Sequence, residues 1–173
     1  MGKSSKSELP LELYRPNVAI VVFNDRGKVL ICRRAGEIGN DCWQFPQGGI
    51  DKGEKPLIAA YRELYEETGI KPKHLKKIGK IKGWVAYTFP DNINIAPNKR
   101  KHWLGQKQKW FAMQFLGKDK HINLALQNPP EFDQWSWVEL ADSPEMVIKW
   151  KRKVYKKVVK KFSKFIEQTT VKS

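Results

Sequence analysis

Three glutamates, Glu63, Glu66 and Glu67, stand at i, i+3 and i+4. On an α-helix those spacings place all three carboxylates on one face. Carboxylates that close repel one another, so the arrangement predicts a compensating cation. Hard divalent ions take oxygen ligands, and Mg²⁺ is typically held by a few carboxylates together with substrate phosphates. Such an ion clamps phosphate oxygens and lowers the pKa of a bound water. Phosphoryl chemistry chiefly needs positioning and charge neutralisation, and this cluster supplies both. Taken alone, E-x-x-E-E would equally describe a solvated acidic helix face. The surrounding Gly48, Gly49, Glu54 and Arg62 favour catalysis. Arg62 adjoins Glu63 and precedes Glu66 by four residues, so it is expected to orient a glutamate rather than touch substrate.

The same segment must be a helix with a second, apolar face. Leu57, Ile58, Tyr61, Leu64 and Tyr65 recur at three- and four-residue steps and are expected to bury against a sheet. Pro56 suits the first helical turn. Gly69 suits a left-handed C-terminal cap, and Pro72 blocks continuation. Upstream, Val18–Phe23 reads as a buried strand, Asn24–Gly27 as a turn and Val29–Arg34 as a second strand. Residues 35–42 form a loop, and Trp43–Phe45 a short strand feeding the glycines. Ile78–Phe89 reads as one or two strands around Gly83, and residues 90–107 as a long loop. Lys109–Phe115 is a strand, Ile122–Leu126 extends or crosses the sheet, and Trp135–Val138 alternates as a strand. One long amphipathic helix is expected from about Ser143 to Ile166, with nine Lys or Arg between Lys149 and Lys164. Its basic face is either a solvated surface or a phosphate-backbone contact. The pattern is α/β: a mixed β-sheet in an α/β/α sandwich.

The chain has 173 residues, 40% of them hydrophobic, which suits one compact domain with a real core. We expect a flexible arm over 1–13, a single domain over 14–168 and a tail over 169–173. No apolar run approaches the ~20 residues of a membrane span, and Met1–Lys6 is polar, unlike a signal peptide. Cys32 and Cys42 do not form a C-x-x-C pair, so two free thiols in a reduced, cytoplasmic protein are expected. Nothing in the chain sets an oligomeric state, and a monomer is the default. Lys and Arg total 33 against 18 Asp and Glu, a formal charge of +15. That excess points to a polyanionic partner, with nucleic acid ahead of a membrane surface.

The run from Gly48 to Ile70 has the form G-x5-E-x7-R-E-U-x-E-E-x-G-U, with U aliphatic. It resembles the complete Nudix box. Tyr14–Val18, Trp43–Gly49, Gly105–Phe111 and Pro130-Glu131-Phe132-Asp133-x-Trp135-x-Trp137 extend the resemblance from about Tyr14 to Phe165. They resemble one branch, the RNA pyrophosphohydrolases together with the dinucleoside polyphosphate hydrolases of the invasion-associated protein A type. That branch implies a Nudix fold and Mg²⁺- or Mn²⁺-dependent attack of water on a 5′ polyphosphate. The expected partner is 5′-triphosphorylated RNA, processed to a 5′-monophosphate, or a dinucleoside polyphosphate such as diadenosine tetraphosphate. A non-catalytic RNA-binding module and a cleaner of single nucleoside triphosphates are weaker alternatives. The intact glutamates argue against the first, and the basic surface against the second.

The resemblance also implies site residues. Glu63, Glu66 and Glu67 match the helix metal ligands, and Glu131 a further carboxylate approaching from a loop. Gly48, lacking a side chain, would let its carbonyl approach a metal. Arg15, Arg34 and Lys109 match basic positions near the phosphates, where Arg offers bidentate contacts. Trp150 and Tyr87 match aromatics near the nucleotide, although Trp150 also falls on the apolar stripe of the last helix. The segment Gly36–Cys42 is longer than the branch leads one to expect, and no counterpart is placed for the arm before Tyr14.

Overall fold

A computed structural model describes residues 9–91 and 103–171. Within the expected loop 90–107, residues 92–102 lie outside that range, as do residues 1–8 of the expected arm. The strands are β1 (Tyr14–Phe23), β2 (Val29–Arg34), β3 (Trp43–Gln44), β4 (Gln47–Gly49), β5 (Leu75–Lys80), β6 (Val85–Thr88), β7 (Gly105–Phe115) and β8 (Phe132–Val138). The helices are α1 (Pro56–Thr68), α2 (Ser143–Met146), α3 (Arg152–Phe162) and α4 (Lys164–Thr169). The sheet runs β3-β2-β1-β7-β5, with β4 pairing β1, β6 pairing β7 and β8 pairing β2. Its spine is a parallel ladder from Tyr14↔Gly105 to Phe23↔Gln114.

β1 explains the layering. Its side chains alternate between two faces, yet Val18 to Phe23 are all buried. Both faces are therefore covered, which accounts for a continuous apolar run rather than an alternating one. Val18, Ile20 and Val22 pack with Ala59, Ala60 and Leu64 of α1. Ala19, Val21 and Phe23 pack with Tyr155, Val158 and Phe162 of α3. This is the expected α/β/α sandwich.

Several local expectations are corrected. In α1 the covered face carries Ala59, Ala60, Leu64, Glu67 and Thr68. Ile58 is 57% exposed and Tyr65 39%. Small alanines let the helix close on the sheet, so its bulkiest residues do not mark the buried side. The helix expected over 143–166 is broken. Val147 leaves the helical region at ψ 154, and Lys149–Lys151 forms a 3-10 turn before α3. Apolar periodicity survives such a break because both pieces bury the same side. Ile122–Leu126 is no strand, since Asn123 N–H donates to the carbonyl of Thr68 and caps the end of α1. The β7 strand begins four residues earlier than expected, at Gly105.

Both chain ends among the described residues are tied down further than expected. Leu11–Leu13 forms a 3-10 turn, and Leu104 N–H donates to Leu13 O. Thr169 is buried, and Val171 N–H donates to Asp25 O. The hairpin residue Gly27 makes the latter possible: at φ 72 it leaves no room for a Cβ beside Thr170 and Ile166.

Candidate active site

α1 starts at Pro56, in its first turn, and stops at Gly69, in the left-handed conformation with φ 70. Between those ends it carries the acidic residues against β4. The carboxylate of Glu63 occupies the space that a Cβ on Gly48 would fill. Any side chain at Gly48 would therefore displace Glu63. Arg62 ties the arrangement together. Its Nε and Nη2 donate to Glu54 at 2.9 and 2.8 Å, Nη1 donates to Glu63 at 2.8 Å, and Nη2 also donates to Gly49 O at 2.9 Å. Glu66 lies 3.5 Å from Nη1. The planar guanidinium fork suits this many acceptors at once. It holds the Glu54 carboxyl down at about 2, first through its hydrogen bonds.

Glu67 differs from its neighbours. It is buried, and Gln47 N–H donates to its Oε2 at 3.1 Å. Among the described residues no ion pair reaches it. Burial pushes its pKa well up, and the nearby charges of Glu131 and Glu63 push the same way. Glu63 is also raised, first by burial, against the pull of Arg62. A buried, repelled carboxylate of this kind fits a cation site. Among the described residues the carboxylates do not already converge as a three-ligand cluster. Glu131 is exposed at the end of a loop that is itself fastened. Ala35 N–H donates to Glu131 O, while Arg33 Nε and Gly36 N–H donate to Asp133. The long segment Gly36–Cys42 is thereby anchored next to Glu131.

On the α3 side of the sheet the site continues as a polar floor, built from Asn17, Gln44, Gln47 and Gln108, which lie within the outer motifs but were not expected as site residues, together with Lys151. Gln108 Nε2 donates to Asn17 Oδ1 at 2.9 Å and to Gln47 Oε1 at 3.3 Å. Lys151 Nζ donates to Gln44 and Gln47 Oε1, both at 3.2 Å. Lys151 is buried, and its Nζ stands 5.5 Å from the Tyr87 ring centroid. Burial and then Arg34 lower its pKa to about 8, opposed by Glu131 and Glu67. A signal for the floor did exist. Gln106 and Gln108 alternate with Lys107 and Lys109, in phase with the core residues Trp110 and Ala112. Polar residues at inward strand positions mark a lined pocket. Lys151 gave no signal, because it fell among lysines expected to face solvent.

The chain matches the NUDIX domain over residues 13–158. It belongs to the Nudix family. A curated relative named RNA pyrophosphohydrolase, from Acinetobacter baylyi, is 44% identical over 157 residues, covering 91% of this chain and 92% of that one. Another of that name, from Caulobacter vibrioides, is 42% identical over 159 residues, covering 92% and 91%. These similarities bear out the Nudix branch expected from the outer motifs. The fold is also that of solved structures with little sequence likeness. The E. coli dihydroneopterin triphosphate pyrophosphohydrolase superposes with TM-score 0.63 at 19% identity, over 86% of this chain and 99% of that one. The C. elegans Ap4A hydrolase, as a binary complex, superposes with TM-score 0.61 at 20% identity, over 88% and 98%.

The expected substrate residues of this Nudix chain divide. The Arg15 guanidinium lies directly over Gly49, close enough that a Cβ there would stand 2.8 Å from Nη2. Arg34 pairs with Glu37 at 3.2 Å and acts electrostatically on Lys151, so it sits at the rim of the same pocket. Trp150 is half-buried, packed against the α3-side core with part of its surface free. Tyr87 is only 6% exposed, and its hydroxyl donates to Gln106 Oε1 at 2.6 Å. Its ring supports Lys151 and the floor and offers no open face to a base.

Lys109 does not join this group. Gly48, Val18 and Lys109 form one row across β4, β1 and β7, spanning roughly 10 Å at about 4.8 Å per strand. α1 covers the middle of that row through Val18. Lys109 emerges on the flank opposite Glu63, with Nζ 4.3 Å from the Trp84 ring centroid.

A pH effect follows from Lys151. If its ammonium contacts substrate phosphate, KM should rise as pH climbs through about 8, where the charge is lost. Lys151→Met should raise KM by about tenfold at pH 7 and abolish that pH dependence, since a charge-assisted hydrogen bond is worth roughly 1.5–3 kcal/mol. Steady-state kinetics between pH 6.5 and 9.5 would check it. An unchanged KM–pH profile in the variant would remove Lys151 from phosphate binding.

Proposed function

We propose that the protein is an RNA pyrophosphohydrolase: it removes pyrophosphate from the 5′-triphosphate end of RNA and leaves a 5′-monophosphate. The observation that carries this reading is one of adjacency. An acidic centre of part-buried Glu63 and buried Glu67 borders a pocket rimmed by Arg15 and Arg34, with Lys151 buried in its floor. The first fits a cation and the second a chain of phosphates. The curated relatives named RNA pyrophosphohydrolase supply the RNA, and the formal charge of +15 agrees with a large polyanion.

In this reading Glu63, Glu66, Glu67, Glu131 and the Gly48 carbonyl hold Mg²⁺ or Mn²⁺. The ion neutralises phosphate charge and acidifies water when bound. Arg62 keeps Glu63 and Glu66 aimed at the glycine strand. Arg15 and Arg34 take phosphate oxygens, and Lys151 fixes the polar floor beneath them. Trp150 offers its free surface to a base. Cys32 and Cys42 are both free thiols, which agrees with a reducing, cytoplasmic setting.

The substrate is tested by comparing kcat/KM on triphosphorylated RNA and on diadenosine tetraphosphate, with Trp150→Ala beside the wild type. RNA should be the better substrate. Stacking is worth roughly 1–3 kcal/mol per base, so the variant should lose about 5- to 160-fold on RNA while keeping its melting midpoint within a few degrees. If diadenosine tetraphosphate alone is cleaved, the protein is a dinucleoside polyphosphate hydrolase. Equal losses on both substrates with a collapsed midpoint would make Trp150 a core residue only.

A further inference from the structure

On the flank of α1 opposite the glutamates, the fold builds a second cationic site. A cleft of about 460 Å³ lies between the start of α1 and strands β5 and β7, with Lys55, Lys77, Lys80, Lys82 and Lys109 on its walls. Among the described residues none of these lysines has an acidic partner within ion-pair distance. Their charges bear on one another. Burial, Lys80 and Lys107 together hold Lys109 below its usual range. At the edge of the cleft an aromatic ring faces Lys109 and its neighbour Lys107. Lys109 Nζ and Lys107 Nζ lie 4.3 and 5.1 Å from the centroid of Trp84. A cation over an indole face is a modest attraction, too small to offset so many like charges. Unpaired positive charge on one cleft favours an anionic partner.

Trp84 also connects this cleft to the active-site side of the sheet. It lines a groove on its other side together with Lys153 and Lys157 of α3. β6, which follows Trp84, packs against both α3 and the 3-10 turn carrying Trp150 and Lys151. A basic track therefore leaves the pocket at Trp150, passes Lys153 and Lys157, rounds the sheet at Trp84 and ends among Lys80, Lys82 and Lys109. An aromatic flanked by lysines along a rim is the pattern that binds single strands without reading sequence.

We propose that this edge holds the single-stranded RNA that follows the processed 5′ end, with Trp84 as a stacking platform and Lys80 and Lys82 on the phosphate backbone. The inference rests on the RNA substrate proposed above, but its test does not require turnover. Lys80 and Lys82 are exposed and away from the glutamates, so Lys80→Ala with Lys82→Ala should leave the reaction centre intact.

Two readouts are needed. In the first, a fluorescent 5′-hydroxyl 12-mer of unstructured RNA is bound by the full-length protein across a salt series. The double variant should bind about fivefold more weakly at low salt. Its log–log salt slope should be flatter by roughly 1.4, because each phosphate neutralised on a single strand adds ~0.7 to the slope. Trp84→Ala should weaken binding about tenfold. In the second, KM is measured on a triphosphorylated 12-mer and a triphosphorylated dinucleotide. The double variant should raise KM about fivefold on the 12-mer and leave the dinucleotide unchanged. Unchanged 12-mer binding in the double variant would overturn the proposal even if Trp84→Ala fails to fold. So would inorganic tripolyphosphate displacing the 12-mer from the wild type at equal concentration, because the cleft would then be a small-anion site. If the wild type leaves triphosphorylated RNA uncut yet binds the 5′-hydroxyl strand through Lys80 and Lys82, the proposed reaction fails while the RNA edge stands.

Discussion

Glu67→Gln is expected to lower turnover by at least ~100-fold while leaving the fold in place, and Glu66→Gln to do the same. Each change removes one charge from the site proposed to hold an ion that would neutralise the phosphates. The two variants should part in stability. Glu66 is half-exposed, so its loss should hardly move the melting midpoint. Glu67 is buried, and its raised pKa means that ionisation costs the metal-free fold something. The sign is fixed by linkage. A carboxyl raised above its unfolded value of about 4.3 favours the folded state below that pH. The benefit is lost as pH rises through the folded pKa. Metal-free Glu67→Gln should therefore melt about 2–4 °C above the wild type at neutral pH, the shift for roughly 1 kcal/mol in a chain of this size. Mg²⁺ should raise the wild-type midpoint and raise that of the variant less. Turnover and thermal melts on one set of samples would decide it. A folded Glu67→Gln protein with near-normal turnover would end the catalytic assignment.

Arg62→Ala should be comparably severe for activity and, unlike the glutamate variants, costly for stability. Arg62 holds Glu54, Glu63, Glu66 and the Gly49 carbonyl at once. Its removal leaves Glu54 and Glu63 mostly buried without their cation. Breaking a fully buried pair costs about 3–5 kcal/mol. With partial exposure we expect about 2 kcal/mol, or roughly 4–8 °C in midpoint. Turnover should fall about 100-fold because Glu63 loses its orientation. Arg62→Lys should recover part of the stability and little of the activity, since an ammonium cannot replace a fork serving several acceptors. The same pair sets an acid limit. The Glu54 carboxyl is held down at about 2, so its contribution is present above its unfolded value of about 4.3. It should be lost as pH falls toward 2, and Arg62→Ala should lack that loss. Denaturation curves from pH 2 to 7 would show it.

The acidic centre was legible because its chemistry is local. Glu63, Glu66 and Glu67 share a helix face by spacing alone, and Gly48 and Arg62 meet that face over a short loop. The sandwich was legible from the unbroken apolar run of β1. What escaped depends on contacts distant in the chain. Lys109 looked like a phosphate ligand until the parallel β1–β7 register placed it beyond α1. Lys151 looked solvated until the break at Val147 turned it under Gln44 and Gln47. Tyr87 carries the right residue type for stacking but is enclosed by α3-side packing. Ile58 and Tyr65 misled for a different reason: the alanines that let α1 approach the sheet carry little hydrophobic signal of their own.

The most direct measurement follows the 5′ end of a triphosphorylated RNA incubated with the isolated protein, first in excess chelator and then with Mg²⁺ restored. A metal-dependent pyrophosphohydrolase should give no reaction in chelator. On adding Mg²⁺ it should convert the RNA to a 5′-monophosphate end, with pyrophosphate or two phosphates released, and Glu67→Gln should do so at least ~100-fold more slowly. Full conversion in excess chelator, or an untouched triphosphate end with Mg²⁺ present, would contradict that mechanism.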